Sequence, residues 1–131
     1  MAEAEIVAWL DRFATLVRSQ DYSSARQLFT EDVYSFGTRA HAMRGLDQLV
    51  ESQWRMVWGV TRGFHFKPPI YTSFPSSSDD LAVTWALWAS AGIRSDGSSF
   101  ERTGRATFAL KKTTSWVCIH SHFSMSPGPS A

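Results

Sequence analysis

The chain has 131 residues, 44% hydrophobic and 19% charged, with a formal net charge of +1. That is enough for one domain that buries most of what it exposes when unfolded. With no basic cluster beyond Lys111-Lys112, nothing resembles a phosphate-binding footprint, so nucleic acid is excluded as a partner.

No apolar run approaches the length of a membrane span, and the start "MAEAEIVAWLDRF" is acidic where a secretory signal is basic. The lone Cys118 allows no internal disulfide and fits a reducing compartment. The expectation is a cytoplasmic protein with no membrane partner and no cofactor. Aromatics reach 14%, with six Trp and nine Phe, more ring surface than the core of such a domain needs. Some rings are therefore expected to line a cavity or an interface.

Residues 4–19 place Ile6, Trp9, Leu10, Phe13, Leu16 and Val17 at helical spacing. Asp21 is a candidate N-cap for a short second helix carrying Tyr22, Ala25, Leu28 and Phe29. "DVYSFGT" reads as a strand entering a loop. After Gly45, Leu46, Leu49, Val50, Trp54, Val57 and Trp58 form the stripe of a third helix, which Gly59 stops.

The rest is strand-like. "GFHFKPPIYTSF" is expected to be an irregular edge, because Pro68 and Pro69 donate nothing to a ladder. "LAVTWALWASA" carries apolar groups on both faces, which implies cover on both. "SDGS" signals a two-residue hairpin through Asp96-Gly97. "FERTGRATFALKK" and "SWVCIHSHFSM" follow around "TT", and "SPGPSA" reads as a disordered tail. One domain over 1–125 with a tail at 126–131 results. Helices first and antiparallel strands after predict an α+β fold, with helices on one face of a curved sheet.

Two-residue turns at Asp96-Gly97 and Thr113-Thr114 put Trp85, Leu87, Ala106, Phe108, Ile119, Ser121 and Phe123 on one face. The opposite face then carries Trp88, Arg105, Thr107, Cys118, His120 and His122. A one-residue slip at either turn exchanges the faces.

This register bears on "CIHSHFSMSP". Cys118 and His122 stand roughly 13 Å apart along a strand and cannot share an ion, while His120 and His122 supply only two ligands. No metal site is read there. The pair are either ordinary sheet residues or part of a polar row, Trp88–Arg105–His122, in which Arg105 stacks on the indole and presents donors to an anion.

Trp54 and Trp58 share a helix face. They either pack in the core or, opposite Trp85, Phe108 and Phe123 and beside Ala106, Ser121 and Gly104, border a cavity that Phe13 and Phe36 close. Large rings around small residues leave room for a flat apolar ligand.

"WLDRFATLVRSQDYSSARQLFTEDV", "GLDQLVESQWRMVW", "RTGRAT" and "WVCIHSHFSMSP" together resemble the SnoaL-like branch of the nuclear transport factor 2-like, or ketosteroid isomerase-like, superfamily over nearly the whole chain. The resemblance implies a cone: three helices against a strongly curved, mixed and mostly antiparallel sheet enclosing a pocket. It also implies homodimers through the outer sheet face, and so places Trp88, Arg105, His120 and His122 toward a partner subunit.

The isomerase's catalytic groups are not carried over. Phe13 stands where its first-helix tyrosine would be, Phe36-Gly37 where its base would be, and Ala106 where its protonated aspartate would be. The ending is also similar to the association domain of calcium/calmodulin-dependent protein kinase II, whose His-x-His is followed by arginine; Phe123 takes that place here.

Two functions remain open. One is an isomerase, cyclase or lyase acting on a small apolar, flat or polyketide-like molecule. Chemistry of that kind needs an acid or base in a dry pocket, and His41, Asp32, Tyr22 and His65 are the nearest candidates. The other is a non-catalytic ligand-binding or oligomerisation module. A loop histidine or carboxylate within hydrogen-bond reach of a ligand in the cavity would favour the first, and a cavity lined only by rings and small residues would favour the second.

Overall fold

The computed structural model describes residues 2–128. Helix α1, Ala2–Ser19, has Glu3 and Glu5 in its first turn and Arg18 in its last, charges that suit the helix dipole. It buries Ile6, Trp9, Leu10, Phe13, Leu16 and Val17. The chain turns at Gln20, and Asp21 caps α2, Tyr22–Arg26, by accepting from Ser24 N at 3.1 Å. Leu28 and Phe29, expected on this helix, lie beyond it, and strand β1 spans Phe29–Phe36.

β2 is Met43–Arg44, and a third helix follows over 46–60. It is not uniform. Leu46–Leu49 and Arg55–Val57 are α-helical, Val50–Trp54 is wound as π-helix, and Trp58–Val60 as 3-10 helix. The wider middle turn buries Gln53 beside Trp54.

β3 (Thr61–Ser73), β4 (Leu81–Ile93), β5 (Ser99–Lys112) and β6 (Trp116–Met125) complete one six-stranded sheet in the order β2-β1-β6-β5-β4-β3. Only β1 and β6 pair in parallel. The fold is α+β, as the order of elements predicts. β3 is an edge strand, and its register shifts twice, the second time across Pro68 and Pro69.

The strand register corrects the expectation at the first hairpin. Trp85 pairs with Thr107, Ala86 with Ala106 and Trp88 with Gly104. A two-residue turn of either favoured type at Asp96-Gly97 needs positive φ at Asp96, but of the two only Gly97 has it, at 88°. Asp96 instead accepts from Ser98 N at 2.9 Å, and the loop takes three residues, closed by Arg94 N to Ser98 O at 2.8 Å. One added residue moves β4 by one, so Trp88 turns inward and Trp85 and Leu87 outward.

Two departures cancel at the second hairpin. Its loop is also three residues, with Lys112 opposite Trp116, and a bulge at Ala109/Leu110 adds one more. Phe108 therefore meets Ser121, and Ala106 meets Phe123, on the inner face as expected. Ahead of the bulge, Cys118 lies inward, fully buried, correcting its expected place beside the histidines. Burial pushes its thiol pKa up, and Sγ donates to His120 O.

Rings tie the layers together. Trp9 and Phe13 of α1 stand 5.1 and 5.9 Å from Phe108, and Phe29 stands 5.0 Å from Trp54. Each such buried ring contributes about 1.5–3 kcal/mol. After β6, Ser126 N still donates to Thr103 O at 2.9 Å. Residues 129–131 of the expected tail lie outside the described residues.

Glu5 anchors the start of α1 to the last hairpin, accepting from Trp116 Nε1 at 2.8 Å and Lys112 Nζ at 3.1 Å. These bonds, that to Trp116 first, hold its pKa below the usual glutamate value. A carboxyl depressed in the folded state stabilises above its unfolded pKa and loses that contribution as pH falls through the folded one. The wild type is therefore expected to lose more stability below about pH 4.3 than Glu5→Gln does. Parallel denaturation curves across pH 6 to 3 for the two proteins would contradict this.

Candidate functional site

A cavity of about 50 Å3 lies between the third helix and the inner sheet face. Phe13 and Val17 of α1, Phe29 of β1, Trp54 and Trp58 of the third helix, Phe64 of β3, Trp88 of β4 and Phe123 of β6 form its apolar wall. Trp58 is sandwiched between Trp54 (4.7 Å, 19°) and Tyr22 (5.0 Å, 13°), and the Arg55 guanidinium caps Tyr22 at 4.6 Å. These stacks fill most of the space between helix and sheet. The remaining void is well below the roughly 150 Å3 that holds benzene in an apolar core, and below the ~300 Å3 at which drug-sized pockets begin.

One edge of the cavity is polar: Thr38, Gln53, Ser90 and Arg102. Gly37 makes room for Gln53, because a Cβ at Gly37 would collide with the carboxamide. Gln53 Oε1 accepts from Arg39 N at 2.8 Å and Ala40 N at 3.1 Å, and Nε2 donates to Thr38 Oγ1 at 2.9 Å. The π-helical turn thus fixes the loop after β1 through one side chain. Opposite it, Arg102 Nη2 reaches Thr38 Oγ1 at 3.5 Å and Met125 Sδ at 3.6 Å. Its guanidinium carbon stands 5.7 Å above the Trp88 ring, and burial lowers its pKa.

Two donors at this edge have no hydrogen-bond partner, Ser90 Oγ and Trp88 Nε1. A surface groove of about 260 Å3, with Met56, Val60, Ile93 and Phe100, shares Thr38, Val57 and Arg102 with the cavity.

Of the residues expected to line a pocket, Phe13, Phe36, Trp54, Trp58, Ser121 and Phe123 border this cavity. Phe108 lies behind it, fully buried, within 5.5 Å of Phe123. Trp85 is not on the wall; it is 43% exposed on the outer face, 4.6 Å from Tyr71. The expected row Trp88–Arg105–His122 is split by the register. Trp88 faces the cavity, while Arg105 donates to Ser124 Oγ at 3.0 Å on the outer face.

His120 and His122 are also outside. They pack on Tyr34 and Phe36 at 4.7 to 5.7 Å, and His120 Nδ1 contacts Tyr34 O at 2.8 Å. Ser121 Oγ points inward and is occupied by Ser35 Oγ at 2.7 Å. Gln53, Ser90 and Arg102 are the polar wall residues that sequence reasoning missed.

The four acid/base candidates do not gather at the cavity. His41 is exposed in the β1–β2 loop, and Asp32 borders an open surface depression over β1 and β2. His65 is exposed with Nδ1 2.9 Å from Gly63 O. Tyr22 reaches the site only through its stack on Trp58. Among the described residues, no histidine or carboxylate borders the cavity and no three His, Cys, Asp or Glu side chains are placed to share an ion. The arrangement can enclose apolar atoms and present hydrogen-bond donors at one edge. It presents no base to a substrate inside.

No helix among the described residues is long and apolar enough to cross a membrane. The SnoaL-like domain family model matches residues 6–127. A comparison with curated proteins returns no match.

Similar solved structures include a nuclear transport factor 2-like superfamily protein of Salmonella enterica, with TM-score 0.84 and 22% identity over 98% of this chain and 94% of that one. A ketosteroid isomerase-like protein of Erwinia carotovora aligns with TM-score 0.78 and 21% identity over 95% and 96%. The association domain of the Caenorhabditis elegans calcium/calmodulin-dependent kinase aligns with TM-score 0.73 and 14% identity over 93% and 94%. At these identities the likeness is one of fold.

Proposed function

The chain belongs to the SnoaL-like domain family, and on that premise we propose that it binds one small, mostly apolar molecule between the third helix and the sheet. The observation that carries this reading is the cavity wall itself, where eight of the eleven apolar residues are aromatic rings and no histidine or carboxylate is present. Such a wall supports binding rather than isomerase, cyclase or lyase chemistry, which needs a positioned proton carrier. The volume sets the size. A polyketide would require a larger rearrangement of the rings than a single ring or a short chain does.

The test uses 2-phenylethanol as a neutral probe and follows the six tryptophan indole N–H resonances by NMR. The signals of Trp54, Trp58 and Trp88 are expected to move with one saturable binding constant, while 2-(1-naphthyl)ethanol leaves them in place. Unmoved indole signals at millimolar 2-phenylethanol would refute the ligand-binding reading.

Self-association is a second reading with its own observation. The outer face of β3 and β4 carries Tyr71, 57% exposed, and Trp85, 43% exposed, beside half-buried Val83 and Leu87. A second copy of the chain fits this face, because a two-fold axis lets one apolar row cover itself. The similar kinase fold described as an association domain supports it.

A further inference from the structure

Among the described residues, Arg102 has no counter-ion. The ion pairs among the described residues are Arg26–Asp47, Arg55–Glu51 and Lys112–Glu5, and none includes it. Its partners are a hydroxyl at 3.5 Å and a thioether sulfur at 3.6 Å, both at the long end of hydrogen-bond contact. Arg102 is half-buried; desolvating part of a cation without a carboxylate beside it is unfavourable, and this partial burial lowers its pKa.

The strand register places Ser90 directly opposite Arg102, and Trp88 opposite Gly104. Gly104 leaves the space that the Trp88 indole occupies, since a Cβ there would meet its Cε2 and Cζ2. Ser90 is 9% exposed and Trp88 is 2% exposed, yet the hydroxyl and the indole N–H are both unsatisfied. An unmade buried hydrogen bond costs about 1–3 kcal/mol. At this cavity edge the Ser90 and Trp88 donors thus lack an acceptor, and Arg102 has only uncharged, long-range ones.

From these donors we infer that the cavity edge is a carboxylate site: the ligand is a small monocarboxylic acid whose apolar body enters the ring-lined cavity. The planar guanidinium offers paired N–H groups that match a carboxylate. Ser90 Oγ–H and Trp88 Nε1–H supply neutral donors from the adjoining strand. A single cation suits a monoanion. Arg102 also borders the outer groove, so the carboxylate would sit at the junction of groove and cavity. This inference rests on the ligand-binding reading of the same cavity and adds the chemistry of its polar end.

Phenylacetate and 2-phenylethanol form the test pair, because they share a body and differ in the head group. Phenylacetate is expected to bind about tenfold to hundredfold more tightly, the range of charge-assisted hydrogen bonds. Its titration should shift the Trp88 indole N–H downfield as that group gains an acceptor. In Arg102→Met the ratio of the two affinities is expected to fall to about one, and in Arg102→Lys to an intermediate value.

Equal affinities in the wild type, or a preference that survives in Arg102→Met, overturn the carboxylate site while leaving the cavity reading intact. Failure of both probes to bind overturns both. If Arg102→Met does not fold, the wild-type ratio and the Trp88 shift decide.

Discussion

Trp54→Ala is expected to lower the free energy of unfolding by about 3–5 kcal/mol. Trp54 is 3% exposed and sits at the centre of the ring assembly, 4.7 Å from Trp58, 5.0 Å from Phe29 and 6.0 Å from Phe13. Truncation removes contacts from α1, β1 and the third helix together. Backbone collapse into the space is opposed by the π-helical turn that holds Trp54, which Gln53 ties to the loop after β1. The check is urea denaturation, in which the midpoint should fall at an unchanged slope.

His120→Ala is the contrast. Its ring is partly exposed on the outer face, where it contacts Tyr34 O and packs on the Tyr34 and Phe36 rings, so a loss of only about 1 kcal/mol is expected. Equal midpoints for the two variants would show that the ring assembly is not the structural centre. The enlarged void in Trp54→Ala should also admit 2-(1-naphthyl)ethanol, which the native void is too small to hold.

The helices and the fold class were legible because they rest on long-range periodicity. Trp9, Phe13, Trp54 and Trp58 recur at helical spacing, and no single turn can change which face they share. The site depended on counts of one residue. "SDGS" supports either a two-residue or a three-residue loop, and the choice depends on whether Asp96 takes positive φ or uses its side chain as an acceptor. It does the latter. That single residue exchanged Trp85 with Trp88, and so hid the true neighbour of the inward indole. A tryptophan over an arginine was expected; the arginine is Arg102 rather than Arg105.

Ser121 and Phe123 were placed inward by two departures that offset each other, a longer loop and a bulge. Gln53 had no signal in the periodicity, since an α-helical count does not anticipate a π turn. A weak signal existed in Gly37, a small residue needed where the Gln53 carboxamide approaches the backbone.

Leu87→Glu is expected to convert a dimer of twice the 14.7 kDa chain into monomers at micromolar concentration. Leu87 lies on β4 between Trp85 and Ala89 on the outer face, directly opposite Arg105. In a two-fold interface each substitution appears twice, so two carboxylates would be buried in the same apolar row. Leaving a buried charge uncompensated costs about 3–5 kcal/mol, and two of them exceed what a standard interface of roughly 800 Å2 per partner can absorb. Arg105 and Lys67, opposite Leu87 on the two flanking strands, reduce this penalty but do not remove it, because either cation would have to be desolvated together with the new carboxylate.

The variant should keep the wild-type response to 2-phenylethanol, since Leu87 and the cavity lie on opposite faces of the sheet. Light scattering measures the first effect and the indole resonances the second. A monomeric wild type would sink the interface outright. A dimeric Leu87→Glu would place the contact on another surface, with the His120, His122, Tyr34 and Phe36 cluster on β6 and β1 the next to examine.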